Sequence, residues 1–271
     1  MKKHWSTIIL ILALLVGLSL LLYPTISDYW NSLHQSKAIA SYVDQISKLD
    51  EDAYNKILDD ARDFNSKRTR DTFTLTESER SRYKELLNPG GLGIMSYIEI
   101  PSIGVSLPIY HGTSESVLQK YVGHLEWSSL PVGGENTHCI ISGHRGLPSA
   151  TLFTNLDKMV EGDTFVIRTL NEVLTYEVEA VHIVEPDDFQ YLKIEKGKDL
   201  CTLLTCTPYG VNSHRLLVRA HRIENIEEGS VAHVTADAMQ IEPLVMAPIL
   251  AIPIFTVVLI FIFAFNKKKR D

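Results

Sequence analysis

Two apolar segments, one near each end of the chain, set the strongest limit on how it can fold. The first runs from Ile8 to Leu22 without a charged residue, and the second, from Leu244 to Phe265, has 22 residues and no charge. A helix needs about 20 apolar residues to span the ~30 Å hydrocarbon layer of a bilayer. The second segment, residues 244–265, is therefore predicted to be a transmembrane helix. The first has no clear cleavage site after it and is predicted to be an uncleaved membrane anchor over residues 1–27.

Basic residues flank both segments on the side that faces the chain terminus. Lys2 and Lys3 precede the first segment, and a basic tail, residues 266–271, follows the second. Positive charges favour the cytoplasmic side, so both termini are predicted to be cytoplasmic and the chain between the segments extracellular. We therefore expect the protein in the cell membrane, with the lipid bilayer as a partner and residues 227–243 as a polar linker back to it.

The composition indicates a folded, acidic protein. Apolar residues make up 45% of the sequence, which is enough for a core, and 26 basic against 33 acidic residues give a net charge of −7. This balance lacks the basic surface of nucleic-acid-binding proteins, so no nucleic-acid partner is expected.

Residues 28–91 are predicted to form a helical extension. Apolar residues recur every three or four positions from Ser36 to Phe64, which indicates an amphipathic helix. The period is lost from Asn65 to Glu79, a segment rich in Lys, Arg, Thr and Ser that is predicted to be a loop. A short helix is expected from Arg80 to Leu87, before a turn rich in Pro and Gly.

Residues 92–226 have the pattern of a mainly β domain. Short runs rich in Ile, Val, Tyr and Thr alternate with Pro and Gly. The predicted strands are Tyr97 to Ile100, Val105 to Tyr110, His138 to Ser142, Thr164 to Thr169, Leu174 to Val184, Leu200 to Cys206 and Arg215 to Ile223. Seven or more short strands with brief helical interruptions indicate a β-barrel or a sandwich.

The three cysteines of this domain cannot all pair, so at least one thiol is expected to be free. Cys206 ends a predicted strand and opens a turn, where catalytic groups are often found, although an isolated cysteine is more often a buried small residue. Cys201 should face the opposite side of the same strand, and Cys139 lies within an apolar strand, so both are interpreted as packing residues. The cysteine spacing predicts no zinc site, and no metal or cofactor is expected.

A thiol nucleophile needs a group that exchanges protons with it, and histidine suits this task near neutral pH. Of the ten histidines, His144 follows a predicted strand in a loop flanked by glycines. Arg215 begins the strand after the Cys206 turn, so a hairpin would bring the two to the same end of the sheet, where the guanidinium can stabilise a negative oxygen. A solvated loop histidine and a surface ion pair are the alternatives.

The segment from Thr202 to Arg219, TLLTCTPYGVNSHRLLVR, closely resembles the signature of sortases, especially class C, the pilus-polymerising type. The resemblance extends from about residue 36 to the C-terminus and implies an eight-stranded β-barrel with short helices. Trp127 is a departure, because the family commonly has Gly there. Five other segments resemble the same class in the same order: YIEIP from Tyr97, LPIYHGT from Leu107, GHLE from Gly123, LPVGG from Leu130 and SGHRGLP from Ser142.

The resemblance also implies a chemistry. Three residues match the family directly: Cys206 as nucleophile, His144 as its proton-transfer partner and Arg215 as oxyanion stabiliser. The implied reaction is thiolate attack on the Thr-Gly carbonyl of an LPXTG-like sorting signal, followed by transfer of the acyl group to an amine, typically a pilin lysine. The implied partners are pilins or other surface proteins with such signals at their C-termini.

Class C sortases usually carry a lid with an Asp-Pro-aromatic motif upstream of the barrel. The loop here offers Asp71 and Phe73, separated by Thr72, so the acid and the ring are kept while the proline that would fix φ is replaced. Asp71 and Phe73 are predicted to form a lid, and a solvated loop with an incidental ring is the alternative.

Two other functions fit parts of the pattern. A sortase that anchors proteins to peptidoglycan would use the same catalytic residues, and the lid-like loop and the C-terminal anchor favour pilus polymerisation over it. A non-catalytic membrane protein that binds surface proteins would require the presence of Cys206, His144 and Arg215 to be coincidental.

Overall fold

A computed structural model describes residues 5–68 and 73–225 of the chain. The predicted linker, C-terminal transmembrane helix and basic tail lie outside these residues, as does Asp71 of the predicted lid. The described residues form a closed β-barrel preceded by three helices.

The N-terminal apolar segment belongs to one long helix. Helix α1, Trp5–Ile46, is 42 residues long; its apolar part is long enough to cross a membrane and is not covered by the rest of the described chain. Pro24 lies inside α1, where it removes one helical hydrogen bond. The predicted anchor and the start of the predicted extension are therefore one continuous element.

The extension is interrupted where the sequence predicted an unbroken helix from Ser36 to Phe64. Helix α1 ends at Ile46, and α2, Glu51–Ser66, begins after a short turn. Asp50 starts α2 because its Oδ1 accepts a 2.8 Å hydrogen bond from the backbone N–H of Ala53. The prediction of one helix was wrong at this turn, since apolar spacing alone does not reveal a cap.

Helix α3, Glu77–Glu85, corresponds to the predicted short helix and begins earlier than predicted. Thr76 and Glu79 form a capping box, in which each side chain accepts a hydrogen bond from the backbone N–H of the other. Arg80 forms an ion pair with Glu126, with Nη2 2.8 Å from Oε1. Helix α3 is thereby joined to the barrel.

Eight strands form the barrel, and a short helix, α4 at Glu115–Leu118, lies between the second and third. Around the barrel the order is β1-β2-β3-β4-β7-β8-β6-β5, and β1 pairs with β5 to close it. The prediction of a closed eight-stranded barrel is confirmed. The strands are β1 Ile94–Ile100, β2 Val105–His111, β3 Val122–His124, β4 Thr137–Ser142, β5 Thr164–Thr169, β6 Glu172–Val184, β7 Asp199–Thr207 and β8 His214–Arg222.

The barrel interior is filled by side chains that alternate along the strands. On β5, Phe165 and Ile167 are fully buried, whereas their neighbours along the strand are only half-buried. The ring of Phe165 stacks on that of Tyr176 from β6, with centroids 5.6 Å apart. The interior is therefore a packed core that fixes the positions of the strand ends.

Tyr42 connects helix α1 to the barrel through two hydrogen bonds. Its buried hydroxyl donates a 3.0 Å hydrogen bond to the carbonyl of Met95 on β1 and accepts one of 2.8 Å from the N–H of Leu170 in the β5–β6 turn. Because these bonds are shielded from water, they hold α1 in a defined position against the barrel.

Candidate active site

Cys206 and Arg215 face each other across an antiparallel strand pair. Cys206 lies near the end of β7 and Arg215 near the start of β8, and the two are direct partners in the register. Direct partners have Cα atoms about 4.5–5.5 Å apart and side chains on the same face. The hairpin predicted from the sequence therefore brings the thiol and the guanidinium together.

His144 is placed beside Cys206 by the strand on the other side of β7. Strand β4 runs parallel to β7, and beyond its end the N–H of Gly143 donates a 3.0 Å hydrogen bond to the carbonyl of Leu204. The hydroxyl of Thr205 donates a 2.7 Å hydrogen bond back to the carbonyl of Gly143. A Cβ at position 143 would lie 2.7 Å from the ring of Phe153, so the glycine permits this close approach.

Cys206, His144 and Arg215 line one cleft of about 350 Å³ at this end of the barrel. The cleft extends from these polar groups along an apolar wall on the β4–β7–β8–β6 side. The wall consists of Leu125, Trp127, Val184, Phe189, Leu192 and Leu217. Such a cleft, with few polar groups beside an apolar surface, is typical of a substrate-binding site.

The polar side chains at the cleft have further partners. Nε2 of His144 lies 3.7 Å from Oε2 of Glu115, which is at the start of α4. Nη1 of Arg215 donates hydrogen bonds of 3.3 Å and 3.1 Å to the carbonyls of Asn212 and His214. These hydrogen bonds hold the guanidinium of Arg215 near the β7–β8 turn, whereas Nε2 of His144 is buried and makes no hydrogen bond within the described residues.

His138 has a structural role within β4. It is buried, its Nδ1 lies 2.9 Å from the carbonyl of Lys193, and its Nε2 lies 2.7 Å from Oγ1 of Thr202. Burial lowers the pKa of His138 to about 4, so the ring is neutral at neutral pH. With both ring nitrogens engaged, His138 links β4 and β7 to the β6–β7 connection.

His124 is similarly engaged in the barrel core. The hydroxyl of Tyr83 from α3 lies 3.0 Å from its Nδ1, and its Nε2 lies 2.8 Å from the carbonyl of Ser129. The ring of Tyr83 also stacks on that of His124. These contacts hold α3 against the barrel. Within the described chain, His144 is the histidine that lines the cleft.

Cys139 and Cys201 are both buried in the barrel interior, as predicted for packing residues. They are direct partners on the parallel strands β4 and β7. Burial raises the pKa of the Cys201 thiol well above its usual value, and the neighbouring Cys139 adds to the effect. Cys206, in contrast, is only partly buried.

Phe73 of the predicted lid belongs to an aromatic cluster at the cleft. Its ring centroid lies 5.1 Å from that of Trp127 and 5.0 Å from that of Phe189, and both of those residues line the cleft. No pattern in the sequence marks Phe189 as functional, and Trp127 differs from other positions only as a departure from a family glycine. Within the described residues, no group of three or more His, Cys, Asp or Glu side chains is arranged to hold a metal ion.

Comparison with known proteins agrees with this geometry. A family model for the sortase domain matches residues 98–223, which contain Cys206, His144 and Arg215. The crystal structure of sortase C1 from Streptococcus agalactiae has a TM-score of 0.68 and 50% sequence identity, and the match covers 70% of this chain and 100% of that one. The chain belongs to the sortase family.

Other sortases give a consistent result. Sortase C from Streptococcus pneumoniae matches with a TM-score of 0.63 and 43% identity over 70% of this chain and 97% of that one. Sortase D from Bacillus subtilis is 30% identical over 136 residues, which are 50% of this chain and 66% of that protein. The solved relatives named here are class C sortases, so the resemblance to that class is confirmed.

The sortase domain of the family model begins within β1 and ends just after β8. Helices α1, α2 and α3 therefore lie before it. Sortases are cysteine transpeptidases, and a thiol, an imidazole and a guanidinium line the cleft of this barrel.

Proposed function

We propose that this chain is a membrane-anchored cysteine transpeptidase that cleaves an LPXTG-like sorting signal between Thr and Gly and transfers the acyl group to an amine. The observation that carries the proposal is the convergence of Cys206, Arg215 and His144 from three different segments on one cleft. A chance arrangement of surface residues does not explain why all three side chains line one cleft. The same observation argues against a non-catalytic binding protein.

The proposed mechanism assigns one step to each residue. The Cys206 thiolate attacks the Thr carbonyl carbon, and the carbonyl oxygen becomes negative while Arg215 donates hydrogen bonds to it. The C–N bond then breaks as His144 gives a proton to the departing Gly amine, which leaves a thioester on Cys206. An incoming amine attacks the thioester, loses a proton to His144 and releases the thiolate.

The cleft supports an extended peptide substrate with apolar side chains. Its apolar wall continues from Cys206 to Leu192 and Phe189 in the β6–β7 connection. Burial of one leucine-sized side chain there contributes about 1.5–3 kcal/mol to binding. The catalytic end of the cleft is polar, which suits the reacting amide.

Class C relatives favour a pilin lysine as the acceptor amine. The solved relative from Streptococcus pneumoniae is described in terms of pilin substrate specificity, and it aligns with this chain over 97% of its length. Anchoring of proteins to a peptidoglycan amine is the alternative, because the acyl-enzyme chemistry of the two reactions is the same.

The acceptor is tested by competition between amines. The purified protein is incubated with a peptide that contains an LPXTG-like motif, together with equal amounts of a lysine-containing pilin peptide and a peptidoglycan-type oligoglycine. Mass spectrometry should show the lysine adduct in excess. An excess of the oligoglycine adduct would indicate wall anchoring, and the absence of both adducts and of thioester in a folded protein would contradict transpeptidation.

We further propose that α1 crosses the bilayer with the barrel outside the cell and both termini in the cytoplasm. The support is the length and apolar character of α1, together with the basic residues beside both apolar segments of the sequence. The second segment, at residues 244–265, would return the chain to the cytoplasm.

The loop that contains Asp71 and Phe73 is proposed as a lid over the cleft. The support is the position of Phe73, whose ring packs on Trp127 and Phe189 at the apolar wall. Ring contacts of this kind contribute about 0.5–1.5 kcal/mol each, so the closed state is only modestly favoured. The proposed lid therefore limits access to Cys206 but opens easily for a substrate.

Removal of the lid side chains should expose the thiol. The double change Asp71→Ala, Phe73→Ala is expected to speed alkylation of Cys206 by iodoacetamide about 5- to 150-fold, the factor that corresponds to loss of the two ring contacts of Phe73. The exposed neighbour Thr74 offers a control variant, Thr74→Ala, which should react at the wild-type rate. Equal rates for the double variant and the wild type would mean that this loop does not cover the cleft.

A further inference from the structure

Helix α1 makes contact with the barrel immediately beyond its apolar part. The first charged residue after Lys3 is Asp28, so the helix leaves the apolar layer of a bilayer near this position. Oδ1 of Asp28 accepts hydrogen bonds of 2.6 Å and 2.9 Å from the N–H and the hydroxyl of Thr151. Nδ2 of Asn31, one turn later, donates a 2.7 Å hydrogen bond to the carbonyl of Ser149. The loop that follows His144 is therefore held at the level where α1 leaves the bilayer.

The later contacts of α1 show which end of the barrel lies farther from that level. Nε2 of Gln35 donates a 2.7 Å hydrogen bond to the carbonyl of Lys120, and Tyr42 reaches Leu170 in the β5–β6 turn. At 1.5 Å per residue, Tyr42 lies about 21 Å farther along the helix than Asp28. The catalytic end of the barrel is the end nearest the bilayer.

The β7–β8 turn lies at this same end and has an apolar tip. Tyr209 and Val211 are 61% and 70% exposed, although both are large and hydrophobic. The turn also touches the loop after His144, because a Cβ at Gly146 would lie 2.8 Å from the Tyr209 ring. The same loop contains Thr151, which donates hydrogen bonds to Asp28. The tip and the emerging helix are therefore neighbours on one side of the barrel.

A basic side chain beside this tip is paired, which lowers the cost of bringing the tip to a lipid surface. Nη2 of Arg145 lies 2.5 Å from Oδ2 of Asp157. Tyrosine is enriched at membrane interfaces because its ring is apolar and its hydroxyl is polar. The β7–β8 tip thus has the chemistry of an interfacial contact.

We propose that Tyr209 and Val211 insert into the headgroup layer of the bilayer leaflet from which α1 emerges, as a second attachment of the sortase domain to the membrane. This proposal rests on the proposed membrane span of α1. Lipid is the proposed contact of Tyr209 and Val211, because α1, which is joined to the barrel, passes through the bilayer beside them in this proposal. The cleft with Cys206 then opens close to the membrane surface, where a membrane-bound substrate can reach it.

Site-specific fluorescence quenching tests the proposal on the full chain. Val211→Cys is introduced into a Cys206→Ala background, in which the remaining cysteines are buried, and is labelled with an environment-sensitive fluorophore. The protein is placed at one copy per phospholipid nanodisc, with or without lipids that carry a nitroxide at the headgroup. Two further positions are labelled in the same way: Leu21, in the apolar part of α1, and Glu135, an exposed residue at the opposite end of the barrel.

The expected result is strong quenching at position 211, at least half of that at position 21, and little at position 135. Position 135 precedes the start of β4 and is about 20 Å farther from the bilayer, because the nine residues of β7 extend about 26 Å along a strand that is tilted from the barrel axis. Quenching at 211 as weak as at 135, with strong quenching at 21, would overturn the proposal and leave the membrane span intact. Weak quenching at all three positions would overturn both the span and the proposal. Because each nanodisc holds one copy, contact between two copies cannot produce the expected pattern.

Discussion

Replacement of Cys206 by alanine is expected to abolish the thioester with a sorting-signal peptide and to lower turnover on the order of 10⁴-fold or more. The thioester forms on the sulfur of this residue in the proposed mechanism, and an alanine methyl group cannot replace it. Cys206 is only partly buried, near the end of β7 at the cleft, so the change leaves no cavity in the barrel core. The melting temperature should stay close to that of the wild type. Intact-protein mass spectrometry measures the adduct, and calorimetry measures the melting temperature.

The other two cysteines provide matched controls. Cys139→Ala and Cys201→Ala remove thiols that are buried in the barrel interior, away from the residues that line the cleft. Both variants are expected to lose some stability and to keep the ability to form the thioester. A covalent peptide adduct on the Cys206→Ala protein, or loss of the adduct from a folded Cys139→Ala protein, would assign the nucleophile to another residue.

The part of the site formed by local chain order could be predicted from the sequence. Two strands joined by a short turn form an antiparallel hairpin, so the positions of Cys206 and Arg215 at their adjoining ends followed from strand prediction alone. The opposite orientation of Cys201 followed from the alternation of side chains along β7. Hairpin geometry and the alternation of side chains depend on residues that are close in the chain, so both can be predicted from a single sequence.

The part of the site that depends on contacts between distant segments could not be predicted in this way. His144 comes next to Cys206 because β4 pairs with β7 in parallel, and no local pattern in either strand specifies that pairing. The glycine-flanked loop made His144 a candidate, and the family resemblance was what placed it with Cys206. The strand β3, which pairs with both β2 and β4, was missed because its three residues are too few to show an alternating pattern.

The aromatic cluster at the cleft illustrates a further limit. Phe73, Trp127 and Phe189 come from the predicted lid loop, the β3–β4 connection and the β6–β7 connection. Loop conformation depends on tertiary contacts, so the sequence could identify an acid and a ring in the lid loop but not the surface on which the ring packs. In the structure, the ring of Phe73 packs on Trp127 and Phe189.

Helix α1 shows how a domain boundary drawn from composition can hide a structural connection. The sequence changes from apolar to amphipathic near residue 27, which suggested an anchor followed by a separate extension. Helix α1 continues through this change, although Pro24 removes one of its backbone hydrogen bonds there. The apolar segment is therefore joined to the barrel by one continuous helix, through the hydrogen bonds of Asp28 and Asn31.

Replacement of His144 by alanine is expected to give the second largest loss of turnover, about 10²–10⁴-fold, because general acid–base catalysis is lost while the thiol remains. Arg215→Ala should cost about 10²–10³-fold, since it removes donors to the oxyanion without removing the proton-transfer group. His214 provides a matched control for His144: its ring lies beside the cleft entrance, but it contacts Ser213 and Glu185 and does not line the cleft. The His214→Ala variant should therefore lose much less activity.

A purely structural role for His144 would also lower turnover, so the test must distinguish the two roles. Added imidazole can enter the space left by the missing side chain and transfer the proton, so it should restore part of the activity of His144→Ala, with a dependence on pH that follows the added base. Imidazole should have no effect on His214→Ala or on Arg215→Ala. The measurements are kcat and kcat/KM for a sorting-signal peptide with and without imidazole, with folding checked by calorimetry. Turnover of His144→Ala near that of the wild type would remove His144 from the mechanism. Low turnover that imidazole does not restore, in a variant with a lowered melting temperature, would mean that His144 acts by holding the loop after β4 in place.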